Sequence, residues 1–223
     1  MLIANCDVRN NDREMPEGSN PRSVIRNAEF NGLRACRAIF IDRDGTVNED
    51  TGYISTPAEL VIYPWTAEAV RLINTSGLKA IIITNQSGIA RGIYGEEALA
   101  AIHARMIEEL ARDGARIDAV YYCPHHPDAG DAPYRMACEC RKPRTGMLDA
   151  AAREHNIELT RSFVVGDKAS DINLARNAGA RGALVLTGYG SETLAHPDRW
   201  PCEPAIIAKN SLEAVKQILD SKL

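Results

Sequence analysis

The chain has 223 residues, enough for one domain or one domain with an appendage at about 150 residues per domain. Hydrophobic residues make up 45% and charged residues 25%, a balance that excludes a wholly disordered chain. With 26 basic and 30 acidic residues the net charge is −4, a poor basis for binding nucleic acid or an anionic membrane, and no apolar run approaches the roughly 20 residues of a membrane-spanning helix.

Residues 1–35 differ from the rest. They hold Asn5, Asn10, Asn11, Asn20, Asn27 and Asn31 among charges and two prolines, and no helix or strand period persists. The expectation is a poorly ordered extension followed by a domain over 36–223. Residues 1–11 lack the apolar stretch of a secretory signal, so a cytoplasmic protein is expected.

From Ala38 short apolar runs alternate with helical patterns. Strands are predicted over 38–41, 79–84, 119–122, 162–165, 183–186 and 205–208. Helices are predicted over 66–74, 96–113, 147–155, 172–178 and 212–219. The longest carries Leu99, Ile102, Met106, Ile107 and Leu110 at helical spacing, and Gly77 and Gly179 act as stops. Gly188-Tyr189-Gly190 imitates the start of a dinucleotide fingerprint but lacks its third glycine and is read as a loop. Continuous apolar strands alternating with helices specify a doubly wound, Rossmann-like α/β fold, its mostly parallel sheet covered on both faces. Ligands of such sheets sit beyond the carboxyl ends of the strands.

The segments that follow the strands carry the chemistry. Asp42-Arg43-Asp44-Gly45-Thr46 places two carboxylates at the first strand exit. Thr84-Asn85-Gln86-Ser87-Gly88 offers a hydroxyl and amide donors at the second, and Gly166-Asp167-Lys168 precedes a helix. One Asp after a strand is an ordinary cap or turn former. Three such segments on one rim make an acidic pocket with phosphate donors, suited to Mg²⁺ and a phosphorylated ligand. Asp171 is equally readable as a helix first-turn acid and is left out of the metal shell.

The six cysteines are Cys6, Cys36, Cys123, Cys138, Cys140 and Cys202. Cys123 and His125, with Cys138 and Cys140, supply three thiols and an imidazole across residues 123–140. That set fits a closed, structural Zn²⁺ site, although its one-residue gaps are tighter than usual. His126 is read as a surface or substrate-side group. Residues 123–140 have no clear helix or strand, and a metal clip would tie them down just before Arg141 and Lys142.

Together, Asp42-x-Asp44-Gly45-Thr46, Thr84-Asn85, Lys142 and Gly166-Asp167 resemble the four motifs of the haloacid dehalogenase-type phosphatases, from about Ala38 to the C-terminus. The strings DRDGTVN with Gly52-Tyr53, TNQSGIARG, YYCPHHP and CECRKP are similar to those of its heptose 1,7-bisphosphate 7-phosphatase branch. The histidinol-phosphate phosphatases share the first motif and the metal loop and are the alternative. The resemblance implies an aspartyl-phosphate mechanism within nucleotide-activated heptose biosynthesis, with Asp42 as nucleophile and Asp44 as general acid and then base. That division requires Asp42 ionised and Asp44 protonated at the start. The resemblance further implies Mg²⁺ on Asp42, the Asp44 carbonyl and Asp167, with Thr84 and Lys142 on the phosphoryl oxygens and Arg141 assisting. Asp50, Thr51, Gly52, Tyr53, Thr84, Asn85, Gln86, Ser87, Arg141, Lys142 and Lys168 would contact the substrate. No segment is long enough for a large cap domain. The expected partner is a small sugar phosphate, and the chain is expected to act as a monomer. A reading of another class, a zinc-containing binding module, rests on the metal loop alone.

Overall fold

The computed structural model describes residues 2–5, 35–199 and 202–221. Seven strands form one parallel sheet: β1 (Leu2–Asn5), β2 (Ala38–Asp42), β3 (Lys79–Asn85), β4 (Ala119–Cys123), β5 (Phe163–Gly166), β6 (Arg181–Val185) and β7 (Ile206–Ala208). Their spatial order is β1-β4-β3-β2-β5-β6-β7. The chain runs outward from β2 through β3 to β4, then returns to the other side of β2 with β5. The order therefore reverses beside β2, and a crevice opens there at the carboxyl ends.

The sheet is buried on both faces because each inner strand carries a continuous apolar run through its middle. Ile39, Ile41, Ile82, Val120 and Val165 point to one face, against α1 (Thr66–Thr75), α2 (Glu96–Arg112) and α6 (Ser211–Asp220). Their neighbours Phe40, Ile81, Ile83, Tyr121 and Val164 point to the other, against α3 (Gly146–His155) and α4 (Ala169–Asn177). This is the doubly wound fold expected, with no separate cap unit among the described residues.

Three details depart from the sequence reading. Leu2–Asn5 was expected to be part of an unstructured extension, yet it forms an edge strand in register with Ala119 to Tyr122 of β4. Residues 6–34 of that extension, Cys6 among them, lie outside the described residues. Helix α4 begins three residues earlier than expected, because the Asp171 carboxylate accepts from the Lys168 amide at 3.1 Å and caps it. The segment read as a loop from Gly188 enters a short helix, α5 (Gly190–Ala195), tied to β5 by the Thr193 hydroxyl donating to the Asp167 carbonyl at 2.9 Å.

Candidate active site

Asp42 is the last residue of β2, and its pairing with Ile83 of β3 fixes its place on the rim. Asp167 follows β5. Asp171 lies in the first turn of α4, facing back over the same rim. Carboxylate oxygens of all three lie within 4.8 Å of one another, and all three residues are buried. The sequence reading left Asp171 open; the fold brings it into the cluster. Gly45 makes room for this. It takes φ +86°, and a Cβ there would collide with the Asp167 carboxylate.

One cation partly offsets these charges. Lys142 Nζ lies 2.8 Å from Asp42 Oδ1 and 2.6 Å from Asp171 Oδ1. Lys142 reaches them from the loop before α3, which Asn85 at the end of β3 clasps. The Asn85 side chain accepts from the Lys142 amide at 3.1 Å and donates to its carbonyl at 3.3 Å. Burial still lifts the Asp42 carboxyl to about 6, helped by Asp171 and opposed by Lys142 and Lys168. Burial, with Asp42 beside it, lifts Asp167 to about 8. Asp167 Oδ2 accepts from the Tyr189 amide at 2.8 Å, but Oδ1 is buried with no hydrogen-bond partner. A buried carboxylate oxygen without a donor, beside a second carboxylate, fits a hard divalent cation.

Asp44 behaves differently from the sequence expectation. Its carboxylate takes both Arg43 Nε at 2.9 Å and Arg43 Nη2 at 2.8 Å, plus Asn48 Nδ2 at 3.1 Å and Gln86 Nε2 at 2.8 Å. Burial alone would raise its pKa, but Arg43, Asn48 and Gln86 together hold it below the ordinary value. Asp42 thus holds a proton more tightly than Asp44 in the metal-free, ligand-free chain, the reverse of the order the mechanism needs at its start. The charges of a cation and a substrate phosphate have to invert it.

Above this floor lies a cleft of about 460 Å³. Asp44, Asp50, Gly52, Tyr53, Asn85, Gln86, Ser87, Arg141, Lys142 and Lys168 line it, joined by Tyr94, Ser170 and Tyr189. Thr51 and Thr84 do not. Thr84 is 1% exposed and accepts from Gln86 Nε2 at 2.7 Å. Lys168 pairs with Asp50 at 2.8 Å and lies 4.7 Å from the Tyr189 ring centroid. Although its burial acts the other way, Asp167, Asp42 and Asp50 raise the pKa of Lys168, so it stays charged.

The Cys/His loop packs beside the cleft. Cys123 Sγ lies 3.5 Å from Cys138 Sγ, which lies 3.3 Å from Cys140 Sγ; His125 Nδ1 lies 3.4 Å from Cys140 Sγ and 3.8 Å from Cys123 Sγ. A tetrahedron with metal–sulfur arms of about 2.3 Å has edges of roughly 3.7 Å, close to these separations. His126 points elsewhere, accepting from the Asp128 amide at 3.1 Å with its other nitrogen 3.3 Å from Arg91. Arg141 is tied to this loop, Nη1 donating to the His125 carbonyl at 3.1 Å. Arg43 and His103, both buried beneath Asp44, were not singled out by sequence.

Comparison with known proteins bears on the family and the fold. The HAD-hydrolase-like family model matches residues 139–214. A D-glycero-D-manno-heptose-1,7-bisphosphate 7-phosphatase of Thermosynechococcus vestitus is 45% identical over 81% of this chain and 94% of its own length. A D-glycero-beta-D-manno-heptose-1,7-bisphosphate 7-phosphatase of Rhodopseudomonas palustris is 46% identical over 65% of this chain and 81% of its own. Among solved structures, a D,D-heptose 1,7-bisphosphate phosphatase from B. bronchiseptica, complexed with magnesium and phosphate, superposes with a TM-score of 0.74 at 35% identity. That match covers 82% of this chain and 98% of the other.

Proposed function

The chain belongs to the D-glycero-D-manno-heptose 1,7-bisphosphate 7-phosphatases among the HAD-like hydrolases, and on that premise we propose that it removes the 7-phosphate of D-glycero-D-manno-heptose 1,7-bisphosphate through an aspartyl-phosphate on Asp42. The observation that carries the proposal is the meeting of Asp42, Lys142 and Asp167 where the sheet order reverses, beneath a cleft lined by Arg141 and Lys168.

A Mg²⁺ ion held by Asp42, Asp167 and the Asp44 carbonyl would neutralise the clustered carboxylates and draw charge from the phosphoryl oxygens. Asp42 attacks phosphorus, and the bond from phosphorus to the sugar oxygen breaks. Lys142 steadies Asp42 in its ionised form. Asp44 supplies the proton to the departing sugar oxygen; the arriving phosphate dianion is the negative charge that raises its proton affinity. Asp44 then takes a proton from the water that opens the aspartyl-phosphate. The Thr84 hydroxyl and Lys142 donate to the transferring group. Arg141 and Lys168 suit the second phosphate, Arg141 by forked pairing.

We assign Zn²⁺ to Cys123, His125, Cys138 and Cys140. With all four positions filled by protein, its part is to fix Arg141 and Lys142. A reducing, cytoplasmic setting, which keeps such thiols available to a metal, is part of the proposal. Among the described residues no helix is long and apolar enough to cross a membrane. The partner in this proposal is a small sugar phosphate, acted on by a single chain.

The test is phosphate release with Mg²⁺ or chelator from heptose 1,7-bisphosphate and from histidinol phosphate. Preferred hydrolysis of histidinol phosphate, or loss of the 1-phosphate, would overturn the assignment. Replacing Cys138 with serine is expected to remove the zinc and lower turnover roughly 10–100-fold, the usual range for disturbing support around a site. Native mass spectrometry checks it, and an unchanged zinc stoichiometry contradicts the ligand set.

The raised carboxyls also predict a pH dependence. A carboxyl with a folded pKa above its ordinary 3.8 stabilises the metal-free fold fully below that value. This contribution is lost as pH rises through about 6 for Asp42 and about 8 for Asp167. Mg²⁺ requires the ionised forms. The Mg²⁺-induced rise in melting temperature is therefore expected to be larger at pH 8 than at pH 5. Equal rises at the two pH values in scanning calorimetry contradict the metal assignment.

A further inference from the structure

Arg43 is 1% exposed and His103, on α2, is fully buried, so the two lie in the core directly under Asp44. Arg43 uses one edge of its guanidinium on the Asp44 carboxylate, and its Nη2 also donates to Gln86 Oε1 at 3.1 Å. Tyr94 donates its hydroxyl to that same oxygen at 2.6 Å. The remaining nitrogen, Nη1, lies 3.2 Å from His103 Nε2. A guanidinium has only donors, so Nε2 is the acceptor in this pair and the ring is neutral with its proton on Nδ1. Burial and the Arg43 charge agree with that, pushing His103 down to about 3. Its Nδ1 has no hydrogen-bond partner. The imidazole therefore sits in the core with a single polar contact, to Arg43.

The packing role alone is a poor account of this histidine. Its buried neighbours on the same face of α2 are Leu99, Ile102, Met106 and Leu110, and an apolar side chain there would leave no orphaned Nδ1. What the imidazole adds is an acceptor that stops the guanidinium from turning away.

We infer that His103 is a positioning residue of the phosphatase, holding Arg43 so that its far edge clamps Asp44 in one rotamer under the cleft. The inference rests on the reading of Asp44 as proton donor and acceptor in the reaction. Asp44 has to meet the departing oxygen at hydrogen-bond distance, and a carboxylate fixed at both oxygens is aimed before substrate arrives. Without His103 the guanidinium gains freedom, Asp44 gains rotamers, and proton transfer is less often aligned. Arg141 and Lys168, the cations suited to the second phosphate, are held by the His125 carbonyl and by Asp50 and not by Arg43.

The test compares His103→Leu with His103→Gln in the metal-loaded full chain, on heptose 1,7-bisphosphate and on p-nitrophenyl phosphate. The aryl leaving group departs without protonation, and kcat/KM covers only the steps through phosphoryl transfer. For His103→Leu the expected result is a fall of about tenfold or more in kcat/KM on the sugar bisphosphate, a part of the roughly 10²–10⁴-fold that acid–base catalysis supplies. KM should stay within about twofold, as should kcat/KM on the aryl phosphate. The Gln variant, whose amide oxygen can accept from Arg43, should recover most of the loss. A folded Leu variant with unchanged sugar bisphosphate turnover, or an equal loss on both substrates, overturns the inference. A wild-type chain inert toward heptose bisphosphate would instead fail the functional reading, and the same comparison on whichever alkyl phosphate it hydrolyses would still decide the role of His103.

Discussion

Exchanging Asp42 for asparagine is expected to bring phosphate release down to background, roughly 10⁴-fold or more, without unfolding the domain. The amide cannot attack phosphorus, and Asp171, which also has Lys142 against it, projects from α4 and not from the end of β2. Folding should survive for a structural reason. Asp42 Oδ1 accepts from the Arg43 amide at 2.7 Å and from Lys142 at 2.8 Å, and an asparagine oxygen can accept from both. The buried charge is itself disfavoured in the metal-free chain, since burial raises that carboxyl to about 6. A neutral isostere removes that strain. The melting temperature of the metal-free variant should match or exceed that of the parent at pH 7, while its response to Mg²⁺ weakens. A variant that retains more than about a hundredth of parental turnover excludes Asp42 as nucleophile.

Much of the fold and the acidic rim could be read from sequence because the signals were local. Parallel strands buried on both faces are continuous apolar runs, so 38–41, 79–84 and 119–122 stood out against polar flanks. Asp42 stood out because it directly follows 38–41, and Asp167 because it lies two positions past 162–165. What escaped depends on distant parts of the chain. Leu2–Asn5 becomes a strand because β4 offers an edge, not because four residues in a polar stretch favour one. Helix α5 is too short for a period to register. Asp171 looks like a first-turn acid, and it is one; its second role appears only when Lys142, 29 residues earlier, reaches back to it. Arg43 and His103 are 60 positions apart, and no spacing rule connects a strand exit to the middle of a helix. The inversion of Asp42 and Asp44 was equally hidden, because it comes from the burial and partners of each carboxyl and not from their order.

Replacement of Lys142 by methionine is expected to damage both stability and catalysis, which separates it from the Asp42 variant. The Lys142 side chain is 3% exposed and sits between Asp42, 6% exposed, and Asp171, fully buried. Burial alone would lower its pKa, but Asp171 and Asp42 raise it above the ordinary value. A lysine raised in this way contributes its full stabilisation at every pH below its ordinary pKa and loses it only in strong alkali, so the whole contribution is present at pH 7. Methionine keeps the stem and removes the charge, leaving two buried carboxylates facing each other. Breaking such a set from one side costs about 3–5 kcal/mol, which for a chain of this size lowers the melting temperature by roughly 6–20 °C. Lowering the pH lets Asp42 take up a proton, more readily than before because Lys142 no longer opposes it, so the deficit should narrow between pH 7 and pH 5. Turnover should fall about 10²–10³-fold with the loss of one donor to the transferring phosphoryl group. Arginine should not restore it, because a planar fork cannot replace a compact ammonium held between two carboxylates. A methionine variant melting within about 2 °C of the parent would show that the Asp42–Lys142–Asp171 arrangement carries little of the fold's stability, and would leave Lys142 with the phosphoryl group alone.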